Sequence, residues 1–290
     1  MRSDEYKNII IGSGYSGLNA YYEIRDKKNT LLIDSDGNFQ YHSKLSDISI
    51  RIPQARKETV ERINLDNYSV QTESREYRAE NIVIATGCNR KDQIKFMENG
   101  SIYKNFNLAS ANEFDDYILL QYVMRLNKTG IRAGYSGSFM KYFGEDVAMV
   151  VKDFLITSDI PVSSEPDFIF PECKPRLFNN FLKVDRNFMV KEGIYAVGDI
   201  IESNIKSGEL SMRQGAFVGK HINGNMDDFK PVFITILNNF NGLGMRIKSE
   251  YPWGSKEYSI HTGYVYSLMP RFLETYYRLR KGKMGIISSL

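Results

Sequence analysis

A buried strand running straight into a glycine turn constrains this chain more than any other feature. Residues 9–11 are Ile-Ile-Ile, an apolar β-branched run typical of strands buried on both faces. Gly12-Ser13-Gly14-Tyr15-Ser16-Gly17 follows at once, and Leu18 to Ile24 then sets Leu18, Tyr21, Tyr22 and Ile24 at helical spacing. Strand, glycine turn and helix in that order is the context a G-x-G-x-x-G pattern needs. Gly12 permits the tight turn, Gly14 lets a pyrophosphate approach the backbone, and Gly17 lets the helix pack on the strand. The helix start offers N–H groups and a positive dipole end to phosphate, with Ser13 and Ser16 in the same turn. A second strand, Thr30 to Ile33, ends at Asp34. That is about 20 residues past the glycines, where a carboxylate accepts from a ribose 2′-OH and repels a 2′-phosphate. Ser35 follows in the same loop. These residues ask for a dinucleotide; the glycines do not choose between FAD and NAD.

Two later segments choose. Residues 82–87 read I-V-I-A-T-G, and residues 193–199 read G-I-Y-A-V-G-D. With the N-terminal glycine motif, this combination resembles the two-dinucleotide-binding-domain flavoproteins. The resemblance implies FAD as cofactor, with Thr86, Gly87, Gly198 and Asp199 lining the flavin part. Thr30 to Ile48 is similar to the stretch of type II NADH dehydrogenases and sulfide:quinone reductases that runs from the ribose acid to the flavin ring. Those families show an aromatic residue and then Pro-Leu-Leu; here Tyr41 keeps the aromatic, while Ser43 and Lys44 replace the proline and first leucine. The resemblance puts the Lys44 cation near the ring, where it would favour a reduced, anionic flavin. Gly208 to Gly215, G-E-L-S-M-R-Q-G, is similar to the stretch near the quinone side of the flavin. It keeps Gln214-Gly215 but has Glu209 and Arg213 where glutamine is common. Lys44 and Gln214 are the candidate catalytic residues.

The expected fold is α/β: a three-layer, Rossmann-like FAD-binding domain interrupted by a truncated second α/β unit and followed by a small C-terminal region. The boundaries are 1–125 and 172–232 for the FAD-binding domain, 126–171 for the insert and 233–290 for the C-terminal region. The family inserts a full NAD(P)H domain between the two halves. Here Thr129 to Ala133 can supply a first strand, Gly134-Tyr135-Ser136-Gly137 a reduced glycine turn and Glu145 to Leu155 a helix. A βαβ remnant fits that length; a complete doubly wound sheet does not. NADH is therefore a possible substrate only on a minimal surface, and a small-molecule or protein electron donor is the alternative.

Past Pro231 the α/β rhythm stops. Phe233 to Leu237 and Gly244 to Ser249 read as strands about an Asn241-Gly242 turn, and Ser267 to Met284 as a basic amphipathic helix with Pro270 in its first turn. Leu268, Met269, Phe272, Leu273, Tyr276 and Leu279 share a face, with Arg271, Arg278, Arg280, Lys281 and Lys283 largely elsewhere. Such a helix suits a membrane interface. In the resembling families this segment lies on the membrane, and quinone, the implied acceptor, enters beside it.

Composition bounds the rest. The 290 residues allow a full core and more than one domain, and the net charge of +3 is too small and mixed to suggest nucleic acid. No apolar stretch approaches the roughly 20 residues that span a bilayer, and a charged start runs directly into a strand. The protein is expected in the cytoplasm, or peripheral on the cytoplasmic membrane face. Cys88 and Cys173 are far apart and form no C-x-x-C, which argues against the dithiol branch of the superfamily and for two inert cysteines. His42, His221 and His261 have no metal spacing. The functional expectation is an FAD-dependent oxidoreductase passing electrons to an acceptor such as quinone. Two rivals stay open: a sulfide- or thiol-oxidising flavoprotein using Cys88 or Cys173, and a non-catalytic flavin-fold subunit of a larger complex.

Overall fold

The computed structural model describes residues 3–42, 47–99, 104–202 and 205–285. The chain opens with β1 (Ser3–Ile11), α1 (Tyr15–Glu23), β2 (Thr30–Asp34), β3 (Asn38–His42), β4 (Asp47–Arg51) and β5 (Ala55–Lys57). β6 (Val60–Asn64), β7 (Ser69–Thr72), β8 (Glu76–Ile84), β9 (Cys88–Asn89) and α2 (Lys91–Asn99) follow. Next come β10 (Asn105–Ser110), α3 (Asp116–Lys128), β11 (Arg132–Tyr135), α4 (Glu145–Thr157), β12 (Phe168–Phe170) and β13 (Lys174–Pro175). β14 (Met189–Lys191), β15 (Ile194–Ala196), α5 (Gly208–Ile222), β16 (Phe233–Asn238), β17 (Gly244–Ser249), β18 (Tyr258–Gly263) and α6 (Tyr264–Leu279) complete the chain.

The chain forms two compact units. The first holds 1–88, 174–230 and 274–290; the second holds 89–173 and 231–273. The sequence-drawn boundary at 125 falls inside α3, because the chain leaves the first unit directly after the A-T-G segment.

In the first unit the sheet order is β14-β15-β8-β1-β2-β5, with β7 also paired to β8. The run β15-β8-β1-β2-β5 is parallel throughout. Ile9, Ile10, Ile33, Ile82, Val83 and Ile84 are fully buried in it, as continuous apolar strands of a covered parallel sheet must be. Helix α1 starts at Tyr15, three residues earlier than helical spacing alone suggests, so the glycine motif itself supplies its first turn. Its partner is α5. Gly215 and Gly219 lie so close to α1 that a Cβ would sit 1.9 Å from the Ser16 carbonyl oxygen and 2.5 Å from that of Ala20. Small residues four apart on each helix let the two backbones touch.

The second unit has a three-stranded parallel sheet in the order β11-β10-β12, flanked by α3. The antiparallel sheet β16-β17-β18 belongs to the same unit. Phe233 of β16 stacks on Phe143 at 4.0 Å between centroids, and Gln121 of α3 donates to the Ile236 carbonyl at 3.2 Å. The two strands read as C-terminal pieces thus complete the inserted unit's core. The strand expected at 129–133 runs instead over Arg132–Tyr135, because Thr129 to Ile131 cap the end of α3.

Helix α6 begins at Tyr264, so Pro270 stands inside it rather than in its first turn. Tyr264, Val265, Leu268, Phe272 and Leu279 are exposed. Among the described residues no helix is long and apolar enough to cross a membrane.

Candidate functional site

The four motifs end on one line. In the first unit Ile11 pairs with Ile33 and with Ile84, and Ile84 pairs with Ala196. The next residues in each strand direction are Gly12, Asp34, Ala85 and Val197. The carboxyl edge of a parallel sheet is where α/β folds bind ligands. Here the glycine turn, the acid, the A-T-G segment and the G-D segment share that edge.

The turn is built by close approach. Gly12 has φ +103°, and a Cβ there would lie 2.4 Å from the Ala85 carbonyl oxygen; no other residue is free of both penalties. Gly198 has φ +80°, and its Cβ would meet Ser16 Oγ at 2.7 Å. Gly14 is different. Its φ of −71° is ordinary, and a Cβ would meet nothing within 4 Å. It caps α1 without a side-chain hydrogen bond, and no acidic residue stands in the first turn. The Gly14 position at the start of this helix faces open space. Ser13 and Ser16, named from the sequence as ligand contacts, turn their hydroxyls inward to the carbonyls of Asn38 (2.9 Å) and Val197 (3.3 Å). They brace the turn.

Asp34 is held firmly. One carboxylate oxygen accepts from Ser13 N at 2.8 Å; the other accepts from Asp36 N at 2.9 Å and Gly37 N at 2.8 Å. An ionised carboxylate has about four acceptor positions, so capacity remains for a ribose hydroxyl. Ser35 is exposed beside it. Thr86 carries a buried hydroxyl with no hydrogen-bond partner, the kind of polar atom that a bound group satisfies. Gly87, at φ +66°, adds open space next to it. Asp199 has Ser211 Oγ 3.5 Å from one oxygen and the Cys88 sulfur 3.9 Å from the other. An orphan hydroxyl and an unfilled glycine cradle at a helix start together fit a dinucleotide with a pyrophosphate.

Of the two catalytic candidates, Lys44 lies outside the described residues. Gln214 is 3 % exposed, and its side-chain oxygen accepts from Gly198 N at 2.9 Å. In this structure it fixes the G-D segment. Glu209 and Arg213, the residues that replace glutamines, form a largely buried i,i+4 ion pair. Nearby, Tyr41 packs against Tyr277 at 5.4 Å. Burial, helped by the Glu274 charge, pushes the Tyr41 phenol up to about 12, and burial also raises Tyr277.

Both cysteines are disulfide-bonded. The sequence expectation of two inert cysteines is thus corrected, and the missing C-x-x-C gave no sign of their bonding. Sequence reading also missed Lys206. It is 5 % exposed, and its ammonium donates to the Asp199 carbonyl at 2.9 Å and to the Ile201 carbonyl at 3.0 Å. A lysine two residues before a helix in a polar stretch gave no sign of burial.

The segment expected as a reduced glycine turn is filled, and its first two residues, Gly134 and Tyr135, belong to β11. A Cβ on Gly137 would meet Tyr135 Oη at 2.2 Å, and one on Gly134 would meet Asn107 Oδ1 at 2.1 Å. The Tyr135 hydroxyl donates to Asp116, which also accepts from Ser138 Oγ and Met140 N, both at 2.9 Å. Helix α4 then opens with Glu145 and Asp146.

This architecture is the fold of the FAD/NAD two-domain flavoprotein oxidoreductases. The sulfide:quinone oxidoreductase of the hyperthermophilic bacterium Aquifex aeolicus matches with a TM-score of 0.73 and 15 % identity, over 97 % of this chain and 92 % of that one. NADH:rubredoxin oxidoreductase of Clostridium acetobutylicum matches at 0.60 and 14 %, over 87 % and 84 %. A NAD-dependent persulfide reductase from A. fulgidus matches at 0.59 and 15 %, over 83 % and 64 %. No family model matches the sequence, and no curated protein does.

Proposed function

We propose that the protein is an FAD-dependent oxidoreductase that passes electrons from a small reductant to an acceptor such as a quinone at a membrane surface. The shared carboxyl edge carries this reading: Gly12–Gly17, Asp34, Thr86-Gly87 and Gly198-Asp199 end together in register. Gly14 and the N-terminus of α1 would receive the pyrophosphate, Asp34 the adenosine ribose, and Thr86 and Asp199 the flavin half. FAD supplies the electron chemistry; these residues bind it, orient it and keep water from it.

The donor favoured is not NADH. In the second unit the corner where a nicotinamide dinucleotide would lay its phosphates holds the Tyr135 hydroxyl, and the following helix starts with two carboxylates. One observation favours a second, sulfur-based reading. Cys88 directly follows Gly87, lies beside Asp199 and is disulfide-bonded. A disulfide that takes up two electrons and two protons opens to two thiols, which suits sulfide or a thiol as donor. For the acceptor side, α6 exposes apolar residues flanked by Arg271 and Arg278, a pattern matched to an anionic bilayer surface.

The test is anaerobic. NADH, NADPH, sulfide and a dithiol are each added to the FAD-loaded protein while flavin absorbance is followed. Bleaching by sulfide or dithiol, with the band unchanged by NADH and NADPH, is the expected result. Rapid bleaching by NADH overturns the donor reading, and a protein that takes up no FAD overturns the whole.

A further inference from the structure

We infer that Lys206 is a positioning residue for the bound cofactor: it clamps the Gly198–Ile201 turn and fixes which way that turn's peptide groups face. The inference rests on the FAD reading above and names a residue that no ligand motif contains. A lysine ammonium almost never enters a protein interior unless partners hold it there. Here Nζ meets two carbonyl oxygens of one tight turn, those of Asp199 at 2.9 Å and Ile201 at 3.0 Å, and lies over the Phe181 ring at 4.1 Å from its centroid. Ile201 N closes the same turn onto Gly198 O at 3.1 Å.

The direction of the clamp matters. A peptide is planar and trans, so its C=O and N–H point oppositely. Drawing the Asp199 carbonyl toward Lys206 sends the Ile200 N–H away from it. Gln214 fixes the preceding N–H, that of Gly198, from another side. Lys206 and Gln214 together therefore set the backbone from which the Asp199 side chain projects. A hydrogen bond to a charged donor is stronger than one between neutral groups. Two of them on one turn make a stiff mount, and preorganised mounts raise affinity by removing ordering costs on binding.

The experiment titrates FAD into apoprotein of the wild type, Lys206→Met and Lys206→Gln, and records the bound-flavin visible circular dichroism and midpoint potential alongside each protein's melting. Lys206→Met is expected to weaken FAD about tenfold, the scale of one lost charge-assisted hydrogen bond, and to shift both the dichroism and the potential. Lys206→Gln keeps amide donors without charge and is expected to weaken FAD about threefold, since neutral bonds carry roughly half the strength. Wild-type affinity, dichroism and potential in Lys206→Met overturn the inference. Should Lys206→Met prove insoluble, the same wild-type result in Lys206→Gln overturns it. A wild-type chain that takes up no FAD overturns the reading beneath, whereas wild-type uptake with unchanged variants overturns the role of Lys206 alone.

Discussion

The chain contains two short glycine segments, one following β1 and one running out of the end of β11, and they have opposite contents. At Gly12–Gly17 the central Gly14 faces open space and α1 starts without an acid or a cap. At Gly134–Gly137 the corner is occupied by Tyr135, whose hydroxyl is locked to the buried Asp116, and the next helix starts with Glu145 and Asp146. A glycine turn becomes a phosphate site only if its amides and helix dipole are left for a ligand. Filled from within, a glycine segment becomes a rigid corner of a core.

The largest effect that separates the two segments is expected from Gly14→Asp. Its backbone conformation suits any residue and nothing crowds the position, so the fold should keep its melting temperature. A carboxylate in the cradle opposes the pyrophosphate, and FAD affinity should fall at least about a hundredfold, the scale of a desolvated like-charge contact. Retained FAD binding, measured by fluorescence titration, would place the cofactor elsewhere. Asp34→Ala comes next. It removes an acceptor of three backbone N–H bonds as well as the ribose contact, and about tenfold weaker FAD is expected in the same titration.

Tyr135→Phe probes the other segment. It removes one donor to the buried Asp116, and a loss of about 1–3 kcal/mol in unfolding free energy is expected by denaturant titration. FAD affinity should not change, and no NADH binding should appear. NADH binding by this variant would mean that the tyrosine merely masks a working site.

The smallest effect is spectroscopic. Burial, then the Asp116 charge, holds the Tyr135 phenol far above its usual value, while burial, then Glu274, brings Tyr41 to about 12. Both groups are protonated more firmly in the folded state than in the unfolded one. Their contribution to stability is complete below pH 10 and, for Tyr41, is lost as pH climbs from 10 to about 12. A tyrosinate absorbance titration should show a step near pH 12 that Tyr41→Phe removes; ionisation of Tyr41 near pH 10 would mean that it is solvated.

Much of the first unit was legible because its signals are local. Ile9–Ile11, the glycines and Asp34 declare strand, turn and acid within a short span, and a parallel sheet aligns them. Less was legible where distant segments meet. The Gly215–Gly219 contact with α1 joins residues far apart in sequence, and the burial of Lys206 depends on how its own turn folds back over it. Ser13 and Ser16 show the converse: membership of the motif was readable, but the inward turn of their hydroxyls depends on Asn38 and Val197. The second unit misled most. Gly134 and Gly137 look permissive in sequence, and only packing reveals that Tyr135 and Asn107 occupy the space the missing side chains leave.

Counting cofactor per chain tests the central claim most directly. The protein is purified, saturated with FAD and NAD together, freed of unbound ligand and denatured, and the released nucleotides are separated and quantified. One FAD per chain and no NAD is the predicted result, with Gly14→Asp releasing neither. NAD in place of FAD, or no nucleotide from the wild type, would contradict the account.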